Sequence, residues 1–362
     1  MSFSCGIIGL PNSGKSTIFN ALTALSVACQ PYPFCIIEPN IGVAPVPDDR
    51  FVRLAEIVKP DRAIPTTIEF VDIAGLIKDA HKGEGLGNKF LSHIRDVDAV
   101  AHVVRCFGTE NIPHVYADID PARDIDIVET EIIISDLEIV DDRLRKIERL
   151  AKISKEKGEA EHDVLVKIKG LLEKGAFIDI GRYDENEKQL IRSFNLIASK
   201  PVFYIANVDE KNLDRVPVPE LEEMAQKKQR KVVYICGKLE QDIALLPDDE
   251  KVSYMELYGM TRMSIHNVIR VGYEILGLIT FYTIVGKEMR AWTIPQSTTA
   301  VKAAGKIHTD MEKGFIKAEV INIDDFLHCG SEHAAREKGS LRLEGRDYIV
   351  KDGDILHIRF NV

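Results

Sequence analysis

The chain has little that would tie it to a membrane, a metal cage or an oxidising compartment. No run approaches the ~18–20 apolar residues of a membrane span. Its six cysteines (Cys5, Cys29, Cys35, Cys106, Cys236, Cys329) are scattered, with no C-x-x-C pair, which argues against both a zinc site and a disulfide framework. Several lie in apolar contexts and read as small core residues. Met1-Ser2-Phe3-Ser4 lacks the basic-then-apolar pattern of a secretion signal, so a cytoplasmic location is expected. Positive charge is not in excess either: 47 Lys and Arg against 57 Asp and Glu leave a net −10. That excludes a protein that coats nucleic acid through bulk charge. Residues 279–362 hold twelve charges of each sign, so the first 278 carry the whole deficit, and a local basic face in the tail stays open. Internal repeats and low-complexity tracts are absent.

What is present begins at the ninth residue. Gly9-Leu10-Pro11-Asn12-Ser13-Gly14-Lys15-Ser16 spell G-x-x-x-x-G-K-S, followed by Thr17. The apolar Cys5-Gly6-Ile7-Ile8 before them reads as a short buried strand, and Thr17-Ile18-Phe19-Asn20-Ala21-Leu22 as the first turns of a helix. Strand, Gly-rich loop and helix N-terminus make a phosphate site, because loop N–H groups and the helix dipole converge on the anion. The expected contacts are Asn12, Ser13, Gly14, Lys15, Ser16 and Thr17. Lys15 would reach the β- and γ-phosphates and Ser16 would ligate Mg²⁺.

The length, 362 residues, suggests two or three domains. Thr67–Ile73 and Ala99–Val104 are further apolar strands alternating with helices, so the sheet is mostly parallel. From about 122 to 198 the pattern changes: Leu137, Val140, Leu144, Ile147 and Ala151 follow 3–4 spacing with charges between them. That predicts an amphipathic helical hairpin or coiled coil, with a polar tip at 155–159 and a return helix from Val164. Strands resume at 201–206 and 232–236, so the nucleotide domain is split by a helical insertion. A helix near 267–276 precedes a β-rich tail with strands at 291–294 and 315–320, a helix at 323–326, and a hairpin of 347–350 with 355–358 across Asp352-Gly353.

A second chemical element is Asp72-Ile73-Ala74-Gly75 at the end of the 67–73 strand. Asp72 there can hold Mg²⁺ through water, and the Gly75 N–H can contact the γ-phosphate and report its loss. Next comes Leu76, where small GTPases carry in this neighbourhood a glutamine that orients the attacking water. Leucine has no hydrogen-bonding group, so hydrolysis is slow or another group places the water; His114 and Arg105 are the candidates. For the base, Asn207-Val208-Asp209-Glu210 follows a buried strand. Guanine readers carry N-K-x-D there. Glu210 in the last place displaces the carboxylate by one methylene and loses the bidentate fit, whereas a carboxylate can equally accept from the adenine amine.

Together these residues resemble the Obg-like ATPases, the YchF family of translation-factor-related P-loop NTPases. The resemblance runs end to end through Gly9–Thr17, Pro33-Phe34-Cys35, Ile37-Glu38-Pro39-Asn40, Asp72–Leu76, Gly83-Glu84-Gly85-Leu86-Gly87-Asn88, Asn207–Glu210, Arg290-Ala291-Trp292-Thr293 and Ala303–Asp310. It implies an α/β P-loop NTPase domain (1–121 and 199–278), an inserted α-helical coiled-coil domain (122–198) and a C-terminal β-grasp domain of the TGS type (279–362). It implies ATP hydrolysis with Mg²⁺, ATP and ADP as ligands, and the ribosome, mainly its large subunit, as partner. RNA is a further implied partner, on the face between the helical and TGS domains. The family's loop histidine falls on His114, and the loop usually packed on the base falls on Cys236-Gly237. Two positions depart from the pattern. Ile36 replaces a threonine whose hydroxyl ligates Mg²⁺, predicting weaker metal coupling, and Gly237 stands where a small side chain is typical. The leading expectation is a slow ribosome-linked ATPase switch. A GTPase of the same fold, or a nucleotide-dependent scaffold with negligible turnover, are the alternatives.

Overall fold

A computed structural model describes residues 3–28, 40–73, 91, 93–108, 112–151, 159–212 and 218–361. The expected switch residues Ile36, Gly75 and Leu76, the 83–88 stretch and the helical tip at 155–158 lie outside them.

The chain opens with β1 (Ser4–Ile8), α1 (Lys15–Ala28), β2 (Ile41–Pro45), α2 (Asp49–Val58), β3 (Arg62–Ile64), β4 (Thr67–Asp72) and β5 (Ala99–Arg105). Then come α3 (Pro121–Ala151), α4 (Glu159–Leu172), α5 (Glu185–Phe194), β6 (Val202–Asn207), α6 (Pro219–Lys227), β7 (Val232–Ile235), α7 (Gly237–Leu245), α8 (Asp248–Leu257) and α9 (Ile265–Ile275). The remainder is β8 (Leu278–Val285), β9 (Glu288–Pro295), α10 (Ala300–Ile307), α11 (Thr309–Lys313), β10 (Phe315–Asn322), α12 (Ile323–Cys329), α13 (Glu332–Glu337), β11 (Arg342–Glu344) and β12 (Asp354–Phe360). Two compact units result, one of Phe3–Gly42 with Glu69–Val268, the other of Val43–Ile68 with Ile269–Val362.

The first unit is built on a sheet of order β2-β4-β1-β5-β6-β7, in which β1 pairs in parallel with β4 and β5, and β6 with β5 and β7. All seven residues of β5 are buried, as a strand covered on both faces requires. The α3–α4 pair does not stand apart from this sheet. Val128, Ile132, Val140 and Leu144 of α3 and Val164, Leu165 and Ile168 of α4 share one apolar cluster with Ile8, Ile73 and Val100. Of the predicted 3–4 stripe, Val140 and Leu144 are buried and Leu137 and Ile147 partly so. Polar ties fix α3 further. Asp136, fully buried, takes Arg95 Nη1 at 2.7 Å and the Ala198 N–H at 2.7 Å. Glu129 takes the Tyr204 hydroxyl at 2.6 Å and also Arg230 and Lys228.

In the second unit the sheet order is β11-β10-β12-β8-β9-β3. The hairpin β8–β9 is antiparallel, and β12 lies between antiparallel β10 and parallel β8. Helix α10 covers one face through Ala300, Ala303 and Ala304 against Phe281, Val320 and Leu356. This is a β-grasp arrangement. The other face is covered by α12, α13 and, unexpectedly, α2: Phe51 and Leu54 pack with Tyr282, Ile323 and Phe326. Asp48 caps α2 and accepts the Tyr282 hydroxyl, Arg50 Nη1 reaches Asp352 at 2.8 Å, and β3 runs parallel to β9. Residues 46–66, between β2 and β4 of the first sheet, thus pack with the tail rather than within the 1–121 stretch expected for the nucleotide domain, because their apolar face and edge strand are satisfied there. The hairpin expected at 347–350 also differs. The Val350 N–H goes to Thr298 O and Tyr348 O accepts from Ala300, while both edges of β12 are already filled by β10 and β8. Asp354 then closes the turn, accepting from the Lys351 N–H and the Tyr348 hydroxyl.

Leu54 is fully buried, so Leu54→Ala should destabilise the second unit by about 2–5 kcal/mol. Trp292, the one tryptophan, lies in β9, so its fluorescence in a denaturant titration should report an earlier transition.

Candidate functional site

The loop 9–14 joins β1 to α1, and its backbone demands glycine at both ends. Gly9 has φ +149°, and a Cβ there would come 2.4 Å from the Val103 carbonyl of neighbouring β5. Gly14 has φ +96°, and a Cβ would come 2.1 Å from Asn207 Nδ2. That amide is in place for a reason. Asn207, at the end of β6 and 4% exposed, donates to Ser13 O at 2.9 Å and accepts from the Gly237 N–H at 3.0 Å. It clasps the phosphate loop to the Cys236-Gly237 loop, and both ends of its amide are spent on protein.

Lys15 is buried, its ammonium donating to Leu10 O at 2.8 Å. Burial pulls it down to about 8, against the nearby Asp72 charge, which raises it. Ser16 Oγ donates to Asp72 Oδ2 at 3.1 Å, and Asp72 Oδ1 is buried without a partner among the described residues. Burial raises the Asp72 carboxyl, with the Ser16 bond and Lys15 pulling the other way. A hydroxyl beside a carboxylate with an unfilled buried oxygen suits a hard cation such as Mg²⁺. Ser13 Oγ is likewise buried without a partner among the described residues. Thr17 is half-buried in the first turn of α1, and Asn12, at φ +63°, donates to Pro113 O at 3.1 Å.

At the base end Val208 is buried, with its N–H on Ile235 O. The Glu210 carboxylate is 39% exposed and 3.9 Å from Lys238. Cys236 is buried. Gly237 opens α7 so close to α1 that a Cβ would meet Ile18 Cγ1 at 3.0 Å, which accounts for glycine there.

Of the two groups considered for placing water, Arg105 is not available. Its guanidinium is held by three carbonyls, Ile112 at 2.8 Å, Phe107 at 3.2 Å and Pro113 at 3.3 Å, and burial lowers its pKa. It shapes the loop instead. His114 is also engaged: Nε2 lies 2.8 Å from Asp124 Oδ2, and Nδ1 accepts from the Tyr116 N–H at 3.1 Å. The clasp by Asn207 and the Asp124 partner escaped the sequence reading, since both are long-range or side-chain pairings with no local pattern.

The parallel sheet and its phosphate loop define a P-loop NTPase. Family profiles agree: residues 4–135 match the 50S ribosome-binding GTPase profile, and 278–361 match the YchF GTPase C-terminal profile, described as a protein of unknown function (DUF933). Relatives named "Ribosome-binding ATPase YchF" are 49% identical in Pasteurella multocida and 42% in Bacillus subtilis, each pairing covering all of both chains. The solved structure of the Schizosaccharomyces pombe YchF GTPase superposes with a TM-score of 0.89 at 33% identity, covering 99% of this chain and 98% of that one. The chain belongs to the YchF family.

An anion beside Lys15 should restore its proton. Nucleotide binding at pH 8.5 should therefore take up most of a proton, and far less at pH 7, as calorimetry in buffers of different ionisation enthalpy would read.

Proposed function

We propose that this chain is a ribosome-associated ATPase, turning ATP into ADP and phosphate slowly, as a cytoplasmic switch. The observation that carries the ATP assignment is Glu210. It replaces the aspartate that reads guanine, and its half-exposed carboxylate can accept from an exocyclic amine. The names of the curated relatives support this reading, while the GTPase wording of the matched profile and of the yeast structure keeps guanine as its rival. The large ribosomal subunit and RNA are the partners in the same proposal.

In this reading the loop N–H groups and the Lys15 ammonium, released from Leu10 O, hold the β- and γ-phosphates. Ser16, with Asp72 through water, would hold Mg²⁺, which supplies neutralisation of the triphosphate charge. Val208 packs beneath the base, beside Cys236 and Gly237. Gly75 reports the γ-phosphate to the following segment. His114 orients the attacking water once its ring is free. Ile36 offers no hydroxyl to the metal, so affinity for the triphosphate should rise on Ile36→Thr.

The engagement of both His114 nitrogens favours one second reading, a nucleotide-dependent ribosome-binding scaffold with negligible turnover. Single-turnover hydrolysis with and without ribosomes separates the two.

Equilibrium binding of ATP and GTP analogues with Mg²⁺ tests the base assignment. Wild type should prefer ATP by about tenfold or more, and Glu210→Asp should narrow the gap by restoring a bidentate guanine acceptor. Equal or tighter GTP binding by wild type would assign the chain to the GTPases.

A further inference from the structure

His114 sits in an enclosed place, its imidazole 3% exposed and the Asp124 carboxylate 4%. Because Nδ1 accepts from the Tyr116 N–H, the ring's proton is on Nε2 and is given to Asp124 Oδ2 at 2.8 Å. No lone pair or proton of the ring is left for a water. Asp124 is well held by others: its Oδ1 accepts Arg123 Nη2 at 3.0 Å and Nε at 3.2 Å, and Arg123 in turn reaches Asp118 at 2.8 Å and lies over the Tyr116 ring. Were the imidazole to leave, the carboxylate would still be paired, so release does not strand a buried charge. The residue before His114 is tied to the phosphate loop, since Pro113 O accepts from Asn12 Nδ2 at 3.1 Å.

We propose that Asp124 is a positioning residue that holds His114 withdrawn, and that hydrolysis requires the imidazole to exchange its Asp124 contact for the attacking water. This rests on the reading of His114 as the group that orients that water. The observed rate is then the intrinsic rate scaled by the fraction of molecules in which the ring is released. Asp124 occupies the first turn of α3, so whatever displaces that helix end, including a bound partner, sets that fraction.

Single-turnover ATP hydrolysis at saturating nucleotide, with nucleotide affinity measured alongside, tests this. Asp124→Ala should raise the rate about tenfold with affinity unchanged. Asp124→Asn, which leaves a neutral bond in place of a charge-assisted one, should raise it less. The Asp124→Ala/His114→Ala double variant should fall to the rate of His114→Ala. A lower or unchanged rate in Asp124→Ala, or a rise that survives loss of His114, overturns the proposal. If His114→Ala alone keeps the wild-type rate, it is the role of His114 that fails, which is a separable result. Should Asp124→Ala not fold, ¹⁵N-histidine spectra of the wild type decide. The His114 Nε2–H signal held by Asp124 should be present without nucleotide and lost with ADP and aluminium fluoride; persistence overturns the proposal.

Discussion

The site depends on one carboxamide. Asn207 gives its N–H to the Ser13 carbonyl and takes the Gly237 N–H, so a single side chain at the end of β6 sets the spacing between the phosphate end and the base end of the site. Losing it would leave a buried acceptor and a buried donor unpaired, each costing about 1–3 kcal/mol. Its neighbours are chosen around it. Gly14 has no Cβ because the amide occupies that space, and Gly237 has none because α1 approaches there. Gly14 of the phosphate loop is thus also a clearance for this residue.

The phosphate loop, the strand before it and the helix after it were legible because their signal is local: a strand's apolar run, two glycines, a helix start. The strand carrying Asp72 and the apolar stripes of α3 and α4 were legible from periodicity for the same reason. What was not legible depends on how a loop folds back on its own strand or on partners distant in sequence. Arg105 looked free to place a water, and only the fold shows its donors taken by carbonyls of the loop ahead of it. The alternation at 347–350 suited a hairpin, but the hydrogen bonds of that stretch go to the entry of α10, because β12 has neighbours on both sides. Helix α2 carries an N-cap and an apolar stripe that sequence could show, yet nothing near it says which core the stripe enters.

Charge inside the first unit follows a consistent plan. Along α3 the buried carboxylates Asp124, Glu129 and Asp136 each meet at least one cation or His114 and, between them, hydroxyl or amide donors. Such pairs add little net stability compared with apolar packing, but breaking one is costly. Their effect is to fix where α3 lies against β6 and against the helix end carrying Arg95, which follows the segment expected to sense the γ-phosphate.

The second unit is assembled from two stretches far apart in the chain; Arg50 and Asp352 are 302 positions from each other. When α2 and β3 leave the ribosome during synthesis, the sheet they complete has not yet been made. Their apolar face and open strand edge must wait for almost the whole remaining polypeptide. Such late, long-range closure is the slow kind, and it leaves a sticky intermediate exposed throughout translation. Folding of this chain is therefore completed from its C-terminal end, and a truncated product, however intact its phosphate loop, would display the unpaired surface of α2 and β3.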